Sequence, residues 1–216
     1  MRGPSVAGAR ELLAQLNGEL AGLAGRVRAS LVRVETAGRG AGAGTVWHPE
    51  GLILTNAHVV QGSSPWVVLP DGRRLSARIL AQDRELDLAV LAVEAQDLRA
   101  IEVGDSGELR PGSWVVAFGH PWGIESAATA GIVIGQGQML PERPEFGRSW
   151  IAASLHYRPG HSGGPLVDAR GRLVGINTVM AGPDVGLAVP VQEVKRFLKR
   201  RIGGTAPDLQ KVQTWA

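Results

Sequence analysis

Between residues 27 and 190 the chain is a succession of short β-type runs broken by turn signals, and this limits its fold more than any other feature. The runs fall at 31–34, 51–54, 66–69, 77–80, 88–93, 114–118, 131–134 and 173–178. Strands so short and so regularly interrupted pack as barrels or sandwiches. Glycine supplies 30 of the 216 residues, a share that suits an all-β chain rich in tight turns and that helix bundles rarely tolerate. Asp71-Gly72, between two of the runs, predicts a hairpin turn. His48, within Trp47-His48-Pro49-Glu50-Gly51, predicts another.

Two segments depart from this pattern. Leu12, Leu13, Leu16, Leu20, Leu23 and Val27 recur at steps of three and four, which predicts an amphipathic helix over 10–28. Its apolar face is expected to pack against its own domain, with self-association as the alternative. Val191, Val194, Leu198 and Ile202 predict a second helix, ended by Gly203-Gly204. The expected organisation is therefore a helical segment at 1–26, one folded unit at 27–202 and a loose tail at 203–216.

Composition removes several functions. There is no cysteine, so a disulfide framework, a thiolate metal site and a cysteine nucleophile are all excluded. The 23 basic and 20 acidic residues, net +3, form no long like-charge run and give no support to nucleic-acid binding. Lys195, Arg196, Lys199, Arg200 and Arg201 close the second helix, where cations offset the macrodipole. No apolar run approaches the roughly 18 residues of a membrane span. The N-terminus lacks the charged, apolar and cleavable regions of a secretory signal, so a cytoplasmic location is the default expectation, with export if a signal has been trimmed.

The chemistry concentrates in Arg158-Pro159-Gly160-His161-Ser162-Gly163-Gly164-Pro165-Leu166-Val167. A nucleophilic serine must sit on a tight turn whose backbone N–H groups also face the developing oxyanion, and side chains beside it would obstruct both. Gly160 and Ser162 are the expected donors. A serine hydroxyl also needs a general base, and His58 follows an apolar run within Leu54-Thr55-Asn56-Ala57-His58-Val59. The base needs a carboxylate to hold its tautomer. Asp87 directly abuts the apolar run Leu88-Ala89-Val90-Leu91, whereas Asp83 and Glu85 do not.

With these residues in view the chain resembles the HtrA (Deg) branch of trypsin-like serine peptidases, carried by Thr55-Asn56-Ala57-His58-Val59, Asp87-Leu88-Ala89-Val90-Leu91 and Gly160-His161-Ser162-Gly163-Gly164-Pro165-Leu166. The order His, Asp, Ser is that of the chymotrypsin fold. Further matches include Gly119-His120-Pro121-Trp122-Gly123 and Val174-Gly175-Ile176-Asn177-Thr178. The resemblance implies two six-stranded antiparallel barrels with His58 and Asp87 in the first, Ser162 in the second and the site between them. It implies a serine endopeptidase acting on exposed or unfolded polypeptides, with no metal or organic cofactor. Many relatives are trimeric through their N-terminal segments, so a homo-trimer is the matching partner expectation. Relatives commonly carry a PDZ module after the helix matching 191–202, and none is expected here.

Some positions depart from the branch. His161 replaces the usual asparagine, or the aspartate with which digestive relatives bind a newly cut N-terminus, so activation by cleavage is not expected. The approach to the serine lacks the usual Gln-Thr-Asp-Ala pattern, and Ser154 takes the place of its aspartate. Ser154, His156, Tyr157 and Asn177 are the expected substrate-pocket residues, with His156 and Tyr157 either narrowing the pocket or packing outside the loop. His156 and His161 also have the spacing of a zinc pair, but without cysteines or an HExxH pair no metal is expected. Two other readings compete with the peptidase: an inert peptide-binding or regulatory module with a malformed oxyanion loop, and an esterase using the same triad.

Overall fold

A computed structural model describes residues 6–36, 40–61, 64–137 and 149–203. Helix α1 (Val6–Arg28) leads into β1 (Leu31–Thr36), β2 (Gly40–His48), β3 (Leu52–Thr55), β4 (Trp66–Val68), β5 (Arg74–Asp83) and β6 (Leu88–Val93), which close into a barrel in the order β1-β2-β3-β6-β5-β4. A second barrel follows. Strands β7 (Trp114–Gly119), β8 (Ala127–Gly137), β9 (Trp150–Ser154), β10 (Pro165–Asp168), β11 (Leu173–Gly182) and β12 (Val185–Pro190) close in the order β10-β11-β12-β9-β8-β7, and α2 (Val191–Ile202) ends the described chain. Every pairing within the barrels is antiparallel.

The period of two along each strand explains why β3 and β6 are apolar on both faces. Ile53, Ala89 and Leu91 fill the interior of the first barrel with Val32, Val34 and Val67. Their neighbours Leu52, Leu54, Leu88 and Val90 face outward into a separate apolar layer. The second barrel divides its residues the same way, with Val115, Ala117, Ile151 and Leu166 inside. Val116, Phe118, Trp150, Ala152 and Val167 face the same outer layer as Leu52 and Leu54. Helix α2 lays Val191, Val194, Phe197 and Leu198 onto that layer, so one continuous apolar cluster joins both barrels. Gly203 ends α2 with a left-handed φ of 81°.

The predicted turns form as read. Gly72 donates to the Leu69 carbonyl at 2.9 Å in the β4–β5 hairpin, and Gly51 closes the β2–β3 turn onto His48 at 3.2 Å. Strands β2, β9, β10 and β12 had no counterpart among the predicted runs. In β2 the alternation of glycine and alanine lacks the β-branched residues that mark a strand. Close packing requires that composition: a side chain at Gly44 would press on Val32 and Ile53.

Helix α1 corrects the expectation that its apolar face packs on its own domain. Leu23 and Val27 are buried at 3% and 2%, but Leu12, Leu13, Leu16 and Leu20 are 44% to 66% exposed. Only the last two turns reach the inter-barrel layer, and the rest of the stripe extends past it. Leu23→Ala should therefore cost about 2–5 kcal/mol in a urea titration of dilute protein, whereas Leu16→Ala should stay within about 0.5 kcal/mol.

Candidate active site

Asn56 stands between β3 and a short 3-10 turn, Ala57–Val60, that carries His58. Asn56 Nδ2 donates to the Asp87 carbonyl at 2.8 Å. Asp87 itself adopts a φ of 54° immediately before β6, a left-handed conformation that aspartate tolerates better than most residues. The carboxylate then meets His58 twice. Oδ1 accepts the His58 backbone N–H at 3.0 Å, and Oδ2 lies 2.8 Å from Nδ1 of the ring. With Nδ1 thus held, Nε2 is the nitrogen left to face a substrate or nucleophile. The His58 side chain is 41% exposed and that of Asp87 only 13%, so the imidazole is reachable while its carboxylate is shielded.

Ser162 arrives from the other barrel. The Ala43 N–H of β2 donates to the Ser162 carbonyl at 2.8 Å, and Thr45 Oγ1 donates to the Gly163 carbonyl at 3.3 Å. Gly163 has a φ of 85°, and a side chain there would run into the Ala43 carbonyl and the Thr55 hydroxyl. On the opposite side the turn is held by Asn177, whose N–H donates to the Gly164 carbonyl at 2.9 Å and whose carbonyl accepts from Gly163 at 3.0 Å. The N–H groups of Gly160 and Ser162 have no internal acceptor among the described residues. Gly160 is held at a φ of 107°, with its carbonyl accepting the His120 N–H at 2.8 Å.

Ser162 Oγ donates to the Thr178 carbonyl at 2.9 Å. To pass its proton to His58 the hydroxyl must leave that carbonyl, a side-chain rotation of the kind that takes picoseconds to nanoseconds. Thr178 also places its own hydroxyl on Asp87 Oδ2. Sequence reasoning had noted Thr178 only as part of a supporting motif, and Asn56 only as part of the histidine motif. Nothing in the residue types announced that either would touch Asp87.

The four expected pocket residues fall in different places. His58, Ser162, Gly160, Tyr157, Thr178 and Met180 line one cleft of ≈ 410 Å³. Tyr157 is buried, and its ring would collide with any side chain at Gly186. Its backbone N–H faces Met180 Sδ at 3.2 Å, and burial pushes its phenol well above the usual range. Ser154 is exposed at the end of β9, its backbone in register with Val185. His156 is exposed and bonded to Asp184 and Arg158. Asn177 is fully buried and spends its Nδ2 on the Phe118 and Pro165 carbonyls at 3.0 and 3.1 Å. Its place is that of a brace behind the serine turn. Among the described residues no group of three or more His, Asp or Glu side chains could hold a metal ion.

Comparison with known proteins gives the family of the chain. The family model described as the trypsin-like peptidase domain matches residues 42–176. The chain belongs to the trypsin-like peptidase family. Its curated relatives include a putative serine protease HhoB of Synechocystis sp., 38% identical over 159 residues, covering 71% of this chain and 38% of that protein. Another, a probable periplasmic serine endoprotease DegP-like of Hahella chejuensis, is 45% identical over 138 residues, covering 63% of this chain and 29% of that one. This trypsin-like domain thus spans well under half the length of either relative. Among solved structures, an HtrA-type protease AlgW with decapeptide aligns with a TM-score of 0.74 and 26% identity, over 83% of this chain and 66% of that one. The two closed barrels are the chymotrypsin-like fold of HtrA proteases.

Replacing Thr178 by valine removes one hydroxyl donor from Asp87 and leaves the backbone carbonyl in place. Steady-state peptide hydrolysis should show kcat/KM lower by about 10- to 100-fold, the value of a hydrogen bond to a charged group, with KM little changed.

Proposed function

We propose that this domain is a serine endopeptidase that cleaves exposed or unfolded polypeptides through an acyl-enzyme. The observation that carries the reading is the 2.8 Å contact of Asp87 Oδ2 with Nδ1 of His58, a residue that lines one cleft together with Ser162. Ser162 Oγ attacks the scissile carbonyl as His58 Nε2 takes its proton. The tetrahedral oxyanion is received by the N–H groups of Gly160 and Ser162. His58 then returns the proton to the departing amine, and water repeats the sequence on the ester. Asp87 stabilises the imidazolium throughout. Tyr157 is the expected substrate-pocket residue best supported by position, since it lines the cleft, and no step calls for a metal or cofactor.

The same reading covers the organisation of the chain: 27–202 as the peptidase unit, preceded by the helical segment at 1–26. The tail expected at 203–216 lies, apart from Gly203, outside the described residues. No helix among the described residues is long and apolar enough to cross a membrane. A relative named as periplasmic supports an exported protein over the cytoplasmic default. Leu13, Leu16, Leu20, Leu23 and Val27 alternate by three and four, the spacing of a coiled-coil seam. With the first three exposed, this supports a homo-oligomer, the expected trimer, formed through the N-terminal region. Sedimentation of a monomer at micromolar concentration would remove the oligomer.

One observation favours a weakly active or inert form: the Ser162 hydroxyl rests on Thr178 and not on His58. A fluorophosphonate probe separates the two readings. Wild-type protein should be labelled covalently and Ser162→Ala should not, and the wild type should degrade casein. A folded wild type that stays unlabelled would sink the peptidase.

A further inference from the structure

The oxyanion loop contains a buried imidazole that the proposed reaction does not use. His161 lies between the two N–H groups of Gly160 and Ser162 and is 3% exposed. Its Nδ1 is 3.0 Å from the Arg158 backbone nitrogen and 3.1 Å from the Arg158 carbonyl oxygen. The His161 N–H donates to that same carbonyl at 3.0 Å, so side chain and backbone together close the turn 158–161. The ring stacks on Tyr157 with centroids 5.8 Å apart. Its Nε2 is buried without a hydrogen-bond partner among the described residues.

This geometry makes the turn sensitive to one proton. A neutral ring with a bare Nδ1 accepts the Arg158 N–H. Once Nδ1 is protonated it can only donate, so that N–H loses its acceptor. Nε2 carries an N–H with nothing to receive it in the neutral ring with bare Nδ1 as in the positive one, so what the proton changes lies at Nδ1. Its surroundings oppose the charge. Burial holds His161 below the usual imidazole range, the Arg158 carbonyl opposes this in part, and the Arg158 guanidinium adds to it.

Across the loop, His120 donates its backbone N–H to the Gly160 carbonyl, and its buried ring is likewise held below the usual range. Burial is the main cause, Arg33 and His161 act with it, and the Val32 backbone and Glu125 oppose it. Tyr157, the remaining titratable neighbour of His161, stays neutral here. Because both histidines are harder to protonate when folded, their contribution to stability is complete above the ordinary imidazole pKa. It is lost as pH falls below that value toward the folded one.

We propose that His161 is a positioning residue of the oxyanion loop: its neutral ring holds the Arg158 N–H and so keeps the Gly160 and Ser162 donors in place, and acid releases the turn. The proposal rests on the peptidase reading for its catalytic consequence, but the loop response can be read without catalysis.

In the Ser162→Ala protein, NMR from about pH 8 to about pH 4 covers the histidine range. The Arg158 and Gly160 amide resonances should move together with the His161 ring, with a midpoint below the ordinary one. Adding His161→Asn, whose amide oxygen accepts the Arg158 N–H without titrating, should abolish that movement. In the Ser162 enzyme, His161→Ala should lower kcat by about tenfold or more at neutral pH, the scale of a disturbed oxyanion donor. KM should change little, and His161→Asn should restore most of the loss. The acid limb of the wild-type kcat/KM profile should be steeper than one proton and should fall to a one-proton slope in His161→Asn. Amides that ignore the His161 titration, or an acid limb identical in wild type and His161→Asn, would overturn the proposal. Amides that follow His161 in Ser162→Ala, alongside a folded wild type that takes no fluorophosphonate label, would uphold the loop response and defeat the peptidase reading instead.

Discussion

The Ala43 N–H reaches across the gap between the barrels to the Ser162 carbonyl at 2.8 Å, and beside it Gly163 has no side chain to keep the two backbones apart. His58 and Asp87 belong to one barrel and Ser162 to the other, with no disulfide between them. Their relative position therefore depends on this backbone seam and on the apolar layer behind it. The layer alone would not suffice. Hydrophobic contact is non-directional and holds elements together without fixing them to tenths of an ångström, whereas a hydrogen bond weakens steeply when its geometry is lost. Thr45 on the Gly163 carbonyl adds a side-chain bond across the same seam, and Thr55 on the Ala43 carbonyl fixes its first-barrel side. Each of these threonines is fully buried, where an unmade bond would be costly.

Thr178 ties the halves together a second time. Its hydroxyl reaches Asp87 in the first barrel, and its carbonyl takes the hydroxyl of Ser162 in its own. A displacement of β11 against β6 would thus disturb the carboxylate and the serine at once. That coupling also gives meaning to the left-handed backbone at Asp87. The conformation is uncommon, and it persists because the Asn56 amide, the His58 N–H, the His58 ring and the Thr178 hydroxyl all fix the residue from different sides.

How much of this could be read beforehand depends on whether the information was local. The order of His58, Asp87 and Ser162, the glycines around the serine and the runs rich in valine, isoleucine and leucine are local signals; the runs sufficed for a barrel or sandwich, and the two barrels followed from the family resemblance that the motifs carry. Strand β2 escaped because its alternating glycines and alanines are imposed by the seam and by Val32 and Ile53, partners dozens of residues away or on neighbouring strands. Asn177 illustrates the same limit. Its type fits a polar pocket wall, but its depth behind the serine turn, with Nδ2 on two buried carbonyls, follows from the register of β10 and β11. Thr178 was invisible for a related reason, since its partner Asp87 is 91 residues away in sequence.

Helix α1 exposes a more general restriction. Periodicity identifies which residues share a face, and on α1 it did so correctly, but it carries no statement of how far a docking surface extends along that face. The inter-barrel layer ends after Leu23 and Val27. The helix continues unbroken to Val6, so the exposed leucines are held at a fixed angle to the domain by the two residues that are buried. A helix of this length lacking a tertiary partner over most of its course is marginal in water. Its helical state over the outer turns is thus tied to whatever covers Leu12, Leu13, Leu16 and Leu20. The anchoring at Leu23 and Val27 means that any such cover also has a defined position relative to the second barrel, because those two side chains lie so near the Gly171 turn between β10 and β11 that a side chain at Gly171 would touch both.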